Sequence, residues 1–268
     1  MKSILLRFAL PVIGLMTAPL QGQQPTTPTL TQTLTYVKVA PGKAADYEQL
    51  LNESSRKVAE VRANAGEILS WTLLRTVMPA GQEARADYII SVISEGAPPV
   101  PATRASFEEN LKKAGAKITA SEFMEERSAI STLVASEMWR PRSRVGAPKK
   151  GHYIFIDYMK VQDATAYYEA EETIWRGMHE ERIKRGEMSG WLFATKMLPA
   201  GTETPYTAYT ANMYPSWQAA FAARSSNQSV FEKVHPGKNL EETMAKGLKR
   251  DLARRELWVV VERVEKST

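Results

Sequence analysis

Gly186-Glu187-Met188-Ser189-Gly190-Trp191, running on to Leu198-Pro199-Ala200-Gly201, decides how this chain is organised, because it occurs twice. Gly66-Glu67-Ile68-Leu69-Ser70-Trp71, through Met78-Pro79-Ala80-Gly81, stands 120 residues earlier, with Gly, Glu, Trp, Pro, Ala and Gly in the same places. A period this long marks the duplication of a whole folding unit and not a solenoid repeat. Upstream, Tyr158-Met159-Lys160-Val161 echoes Tyr36-Val37-Lys38-Val39; downstream, Glu256-Leu257-Trp258 echoes Glu137-Met138-Trp139.

Around each quoted stretch the patterning is the same. Leu34 to Val39 alternates as a strand does. Tyr47, Leu50, Leu51, Ser54, Val58 and Val61 then fall on one stripe of a helix spanning about 43–64. Gly66 stands where a helix end calls for positive φ. Strands are expected over 69–77 and 87–93, joined by the Pro79-Ala80-Gly81 turn. Helical pattern follows through Phe107 and Leu111 and over 121–133, and a last strand over 134–139. The second copy gives strands at 152–161, 191–198, 206–214 and 257–264. Its long helix runs from an Asp163 N-cap to about Arg185, with further helices around Trp217 and Phe221 and over 240–254. This order, β-α-β-β-α-β, is the ferredoxin-like split βαβ unit. The expected division is a signal peptide over 1–22, a flexible leader over 23–33, a first unit over 34–140, a linker over 141–151 and a second unit over 152–265.

Both faces of the strands are apolar. Trp71, Leu73 and Val77 oppose Leu74; Trp191, Phe193 and Met197 oppose Leu192, Ala194 and Leu198. Such strands belong to a sheet covered on both sides. The fold class is therefore α+β, with two tandem ferredoxin-like units whose sheets pack together into an α/β barrel, an intrachain pseudo-dimer that leaves further oligomerisation open.

Composition limits the function classes. Lys2 and Arg7 followed by the apolar run Phe8 to Met16 read as a secretory signal, too short and broken for a membrane span. The Gln-, Thr- and Pro-rich stretch after it cannot bury enough apolar surface to order itself. Export, periplasmic or secreted, is expected, with no membrane span once the signal is removed. There is no cysteine, so no thiol nucleophile, thiolate metal site or disulfide. The formal charge of +5 falls by two if Lys2 and Arg7 leave, and the small remainder gives no reason to expect a nucleic-acid partner. No phosphate-binding Gly-rich loop or Gly-x-Ser-x-Gly elbow occurs. His152, His179 and His235 lie on different elements, which argues against a zinc site.

On element order and the repeated Gly…Trp…Pro-Ala-Gly pattern, the chain resembles the dimeric α/β-barrel superfamily from about Thr35 to Val264. The segment Trp175-Arg176-Gly177-Met178-His179-Glu180-Glu181-Arg182-Ile183-Lys184-Arg185-Gly186 is most similar to uncharacterised exported members. The resemblance implies a small-molecule pocket and opens three classes: a binding module without chemistry, which is preferred; a cofactorless monooxygenase-like enzyme; and a haem protein. In the chlorite dismutase-like group the iron-binding histidine lies on the long helix of the second unit, which would assign that role to His179. The arginine expected with it is absent from 191–198. No cofactor is expected otherwise.

The candidate ligand site is His179, Trp175, Trp191, Tyr209 and Glu172, between the second long helix and the inner face of its sheet. Helical spacing sets Tyr168, Glu172, Trp175 and His179 along one flank, and the first copy has Ser55 and Ala59 where the second has Trp175 and His179. A large aromatic and an imidazole exceed what a core needs at those points, although Trp71, Trp191, Trp139 and Trp258 are each read first as core. Arg75, Tyr88 and Tyr209 are candidates to face the barrel interior. The charged runs Glu169–Glu172 and Lys249–Asp251 read as solvated helix faces.

Overall fold

The computed structural model describes residues 29–223, 225–247 and 250–266. The expected signal peptide lies outside the described residues. Eight antiparallel strands close into one barrel: β1 (Leu30–Val39), β2 (Ser70–Met78), β3 (Tyr88–Glu95), β4 (Ser131–Gly146), β5 (Tyr153–Val161), β6 (Gly190–Leu198), β7 (Ala208–Tyr214) and β8 (Arg250–Glu265), in the order β1-β3-β2-β8-β5-β7-β6-β4. The first half contributes β4-β1-β3-β2 and the second β8-β5-β7-β6, the same order in each. Among the described residues no helix is long and apolar enough to cross a membrane.

Closure depends on β4 and β8. β4 pairs with β1 through residues 131–139 and with β6 through 138–146; β8 pairs with β5 through 250–259 and with β2 through 257–265. Each must be twice the length of an ordinary strand to serve two neighbours, and each therefore departs from the sequence expectation. Residues 141–146, expected in a linker, are strand; residues 131–133 and 250–254, expected in helices, are strand as well. β1 likewise starts at Leu30, inside the expected leader.

The alternation of apolar residues works as expected. Leu74, Leu192 and Ala194 point into the barrel, while Trp71, Leu73, Trp191 and Phe193 point outward beneath helices. The interior is closely filled around Tyr36, Trp139, Tyr158, Tyr206, Tyr209 and Trp258, leaving a void of about 70 Å³ beside Gln32 and Tyr209. Trp139 and Trp258 are core residues with satisfied N–H groups, donating to Glu137 at 3.2 Å and Glu256 at 3.1 Å. Arg75 does not enter the barrel: it lies on the outer face, exposed, paired with Glu48 at 2.8 Å. Tyr88 also faces outward and donates to Glu48 at 2.8 Å.

A long helix crosses the outer face of each half. In the first it is α1 (Ala44–Glu53) and α2 (Ser55–Asn64), bent at Ser54, whose hydroxyl bonds back to the Leu50 carbonyl. In the second, α5 (Ala164–Ala170) passes through a π-helical turn, Glu171–Trp175, into α6 (Arg176–Lys184). The Asp163 side chain caps α5 by accepting from the Ala166 N–H at 3.1 Å. Gly66 and Gly186 end the two long helices at the same φ of 75°, a conformation open to glycine without steric cost.

The second layer of helices differs between the halves. α3 (Arg104–Lys113) and α4 (Ala120–Ile130) bring Phe107, Phe123 and Ile130 into the cluster formed by Tyr47, Leu51, Trp71 and Leu73. α7 (Trp217–Phe221), α8 (Asn227–Val234) and α9 (Leu240–Gly247) stand in their place. Val230 and Phe231 of α8 pack on Met178 and Ile174 of the long helix, as a cluster separate from the one on the sheet.

Candidate functional site

That separation leaves a cavity of about 420 Å³ between the long helix and the outer face of β5, β7 and β8 in the second half. Register identifies what fills the same place in the first half. Val39 pairs with Ser131 as Val161 pairs with Arg250, and Thr35 with Ser136 as Asp157 with Arg255. At the 120-residue offset, Leu51 corresponds to Glu171, Ala59 to His179, Ile90 to Thr210 and Val92 to Asn212. Leu51, Ala59, Ile90 and Val92 join one apolar cluster. Their counterparts Glu171, His179, Thr210 and Asn212 line the cavity, together with Asp157, Arg250 and Arg255.

The charges are arranged at one end. The Arg255 guanidinium donates twice to Asp157, Nε to Oδ1 at 2.6 Å and Nη2 to Oδ2 at 2.9 Å, the bidentate geometry that best satisfies a buried carboxylate. Glu171 is 3% exposed. Burial pushes its carboxyl up to about 7, against the lowering influence of the Tyr167 hydroxyl and Arg250. The Arg250 guanidinium lies 5.8 Å from the centre of the Tyr167 ring, and its buried Nε–H has no hydrogen-bond partner among the described residues. Tyr167 also donates to the Met159 sulfur at 2.7 Å.

The other end is aromatic. The His179 ring stacks on Trp191 with centroids 4.9 Å apart and planes 19° apart, and Trp175 follows at 6.1 Å from His179. Trp191 is fully buried, and its Nε1–H has no hydrogen-bond partner among the described residues. Phe155, Tyr214 and Phe221 continue the apolar wall.

The structure thus brings together three of the five residues read from the sequence: His179, Trp175 and Trp191. Tyr209 is elsewhere. It projects into the barrel, where its hydroxyl bonds Gln32, because residue 209 has the opposite strand parity to Thr210 and Asn212. The cavity accordingly lies on the outer face of the sheet and not the inner one. Glu172 is also displaced, pairing with Arg176 at 3.7 Å on the helix surface while Glu171 turns inward. A 3.6-residue period places Glu172 beside His179; the intervening π turn takes one more residue per turn and moves the inward position to Glu171. Glu171 and Arg250 are therefore not solvated helix residues. Both were detectable as departures from the duplication, with Glu171 in place of Leu51 and Arg250 in place of Ser131.

The remaining histidines are apart from the cavity, His152 bonding Ser189 at 3.0 Å and His235 standing 3.5 Å from the Ile174 carbonyl. Among the described residues no three His, Asp or Glu side chains gather as a metal site.

A closed eight-stranded antiparallel barrel carrying helices on its outer face is the dimeric α/β-barrel fold. Solved structures with this fold include a protein described as a monooxygenase from Lactobacillus acidophilus, 12% identical, with a TM-score of 0.51 over 90% of this chain and 97% of that one. Another, from Fusobacterium nucleatum and also described as a monooxygenase, is 11% identical with a TM-score of 0.52 over 90% and 96%. A haem-binding protein from Thermus thermophilus, 11% identical, reaches a TM-score of 0.43 over 88% and 92%. At such identities the likeness shows the fold alone. No family model and no curated protein matches the sequence.

Proposed function

We propose that the protein is an exported small-molecule-binding protein, built as a tandem pair of ferredoxin-like units, whose ligand enters the outer cavity of the second unit. The observation that carries this is the replacement of an apolar core by a polar cavity at equivalent positions of one duplicated fold. A core gains nothing from exchanging Leu51 for a buried carboxyl or Thr35 for a buried aspartate, since burying such groups costs free energy unless they are compensated. An apolar and aromatic enclosure with a few converging polar groups is the usual make-up of a ligand pocket. A ligand-observed NMR screen of small organic fragments tests the reading. Binders are expected, and Glu171→Leu, which restores the first half's residue and takes the carboxyl out of the cavity wall, is expected to abolish their signals. Binders unaffected by Glu171→Leu would refute it. Export is tested separately by sequencing the N-terminus of protein from the native host: a chain starting near residue 23 supports it, and one starting at Met1 contradicts it.

One observation favours a second reading, a cofactorless oxygenase. A carboxyl that titrates near pH 7 beside a cavity suits general-base work. It could take the proton of a phenolic substrate, whose electron-rich anion dioxygen then oxidises. Oxygen uptake with quinol substrates, rising through pH 7 and lost in Glu171→Gln, is the expected signature.

Haem fits the cavity poorly. His179 could supply an imidazole, but its ring lies flat against Trp191. The carboxyl groups of Asp157 and Glu171 occupy the wall that would receive the macrocycle, where an apolar surface is needed.

A further inference from the structure

The charged end of the cavity is incomplete in a particular way. Asp157 is fully engaged by Arg255, so that pair contributes no net charge. Among the described residues Arg250 has no such bidentate partner, and its Nε–H is unbonded. The nearby acid is Glu171, and it does not make a hydrogen-bonded pair with Arg250 in the way Asp157 does with Arg255. The first half shows that the fold does not require a cation here, since Ser131 occupies the place of Arg250 and Leu51 that of Glu171. A buried guanidinium N–H without an acceptor costs free energy, and an arginine offers a planar fork suited to a carboxylate.

We propose that this cavity binds a small organic carboxylate together with one proton, the carboxylate held by Arg250 and the proton by Glu171. The body of the ligand lies toward His179, Trp175 and Trp191, where a flat unsaturated group stacks and an oxygen can accept from Trp191 Nε1.

The charges facing Glu171 set the direction of the coupling. Arg250 and Arg255 come from β8, Asp157 from β5, Tyr167 and Glu172 from the same helix, and His179 from its continuation. With Glu171 protonated, Arg250 and the Asp157–Arg255 pair leave one net positive charge at this end. With Glu171 ionised that charge is cancelled, and an entering carboxylate meets a second carboxylate in a poorly solvated space. Binding is therefore strongest below the Glu171 transition and weakens as pH rises through it. With one linked proton and a transition near 7, affinity falls about tenfold between pH 6 and pH 8.

Benzoate, ionised across this range, and its neutral isostere benzamide are the probes, measured by titration calorimetry on the full chain. Benzoate is expected to bind about tenfold more weakly at pH 8 than at pH 6. At pH 8 its heat should vary with the ionisation enthalpy of the buffer, as uptake of one proton requires. Glu171→Gln should bind benzoate equally well at both pH values without buffer dependence. Arg250→Gln should lose benzoate and keep benzamide. Benzoate binding that ignores pH in the unaltered protein, or survives Arg250→Gln, overturns the proposal. The proposal rests on the pocket reading above, and the two fail differently. Benzamide bound and expelled by Glu171→Leu, with benzoate insensitive to pH, removes the carboxylate and keeps the pocket. Probes that bind but are indifferent to Glu171→Leu remove both.

Discussion

The two halves of this barrel carry the same strands in the same order, and differ most where each long helix crosses its sheet. In the first half Leu51, Ala59, Ile90 and Val92 make a continuous core capped by Phe123. In the second, Glu171, His179, Thr210 and Asn212 surround a cavity. The comparison shows that the fold is satisfied by hydrocarbon at this place. The polar residues of the second half need another reason, and a ligand supplies one. Inside the barrel the contrast runs the other way. Glu137 of the first half accepts from Lys196, Arg85 and Tyr206, each at 2.8 Å, and from Tyr36 at 3.0 Å. Glu256, its counterpart, has Arg254 and the Trp258 N–H as its partners among the described residues. Burial works against the charge of both. The hydrogen bonds from Lys196 and Arg85 outweigh it and hold Glu137 below the usual carboxylate range, whereas Glu256 stays above it.

The largest expected effect comes from Glu137. Glu137→Leu leaves Lys196 and Arg85 buried without their anion and should cost about 5 kcal/mol in chemical denaturation, the upper range for breaking a buried ionic network. Glu256→Gln should change stability by less than about 1 kcal/mol, since it removes a charge that burial disfavours. Because the Glu137 pKa is depressed by folding, its contribution is present at neutral pH and lost as pH falls through its unfolded value and below. Equal losses from the two glutamates would break the comparison.

Next is the exchange at the helix. Leu51→Glu puts a carboxyl into the first half's core, where Ser131 stands at the register position of Arg250, and should destabilise by about 4 kcal/mol. Removing the charge at the equivalent position of the second half, Glu171→Gln, should stabilise. Folding raises the Glu171 pKa to about 7, so the stability this group confers is complete below its unfolded pKa and is lost as pH climbs toward 7. The variant should gain about 3 kcal/mol over the unaltered protein at pH 8 and nothing at pH 4. Denaturation curves at the two pH values read this directly. The smallest effect is expected for His179→Ala, which removes one stacked ring: about 1 kcal/mol of stability, with a larger proportional loss of fragment binding in the NMR screen. A drop in melting temperature with unchanged binding would make His179 a packing residue.

Much of the fold was legible in the sequence because the duplication tested each reading twice. Apolar residues on both faces of β2 and β6 called for a sheet covered on both sides, and the barrel provides it. The length of β4 and β8 was not legible. Residues 131–133 and 250–254 have exposed, mixed patterns, and become strands only because β1 and β5 offer them edges. For the site, His179, Trp175 and Trp191 were found from asymmetry of bulk. Glu171 and Arg250 were missed because charge runs usually mean solvent, and because a π turn, which local periodicity does not reveal, shifted the inward face by one residue. Comparing the copies residue by residue for polarity as well as bulk would have found both.

The most direct test of the central claim is a crystal structure of the protein as purified and after soaking with benzoate. The account predicts ligand density in the second half only, between α6 and the outer faces of β5, β7 and β8, with an oxygen within hydrogen-bond distance of Arg250 Nε. Density in the barrel lumen or in the first half instead, or a second half closed like the first with Glu171 paired directly to Arg250, would contradict it.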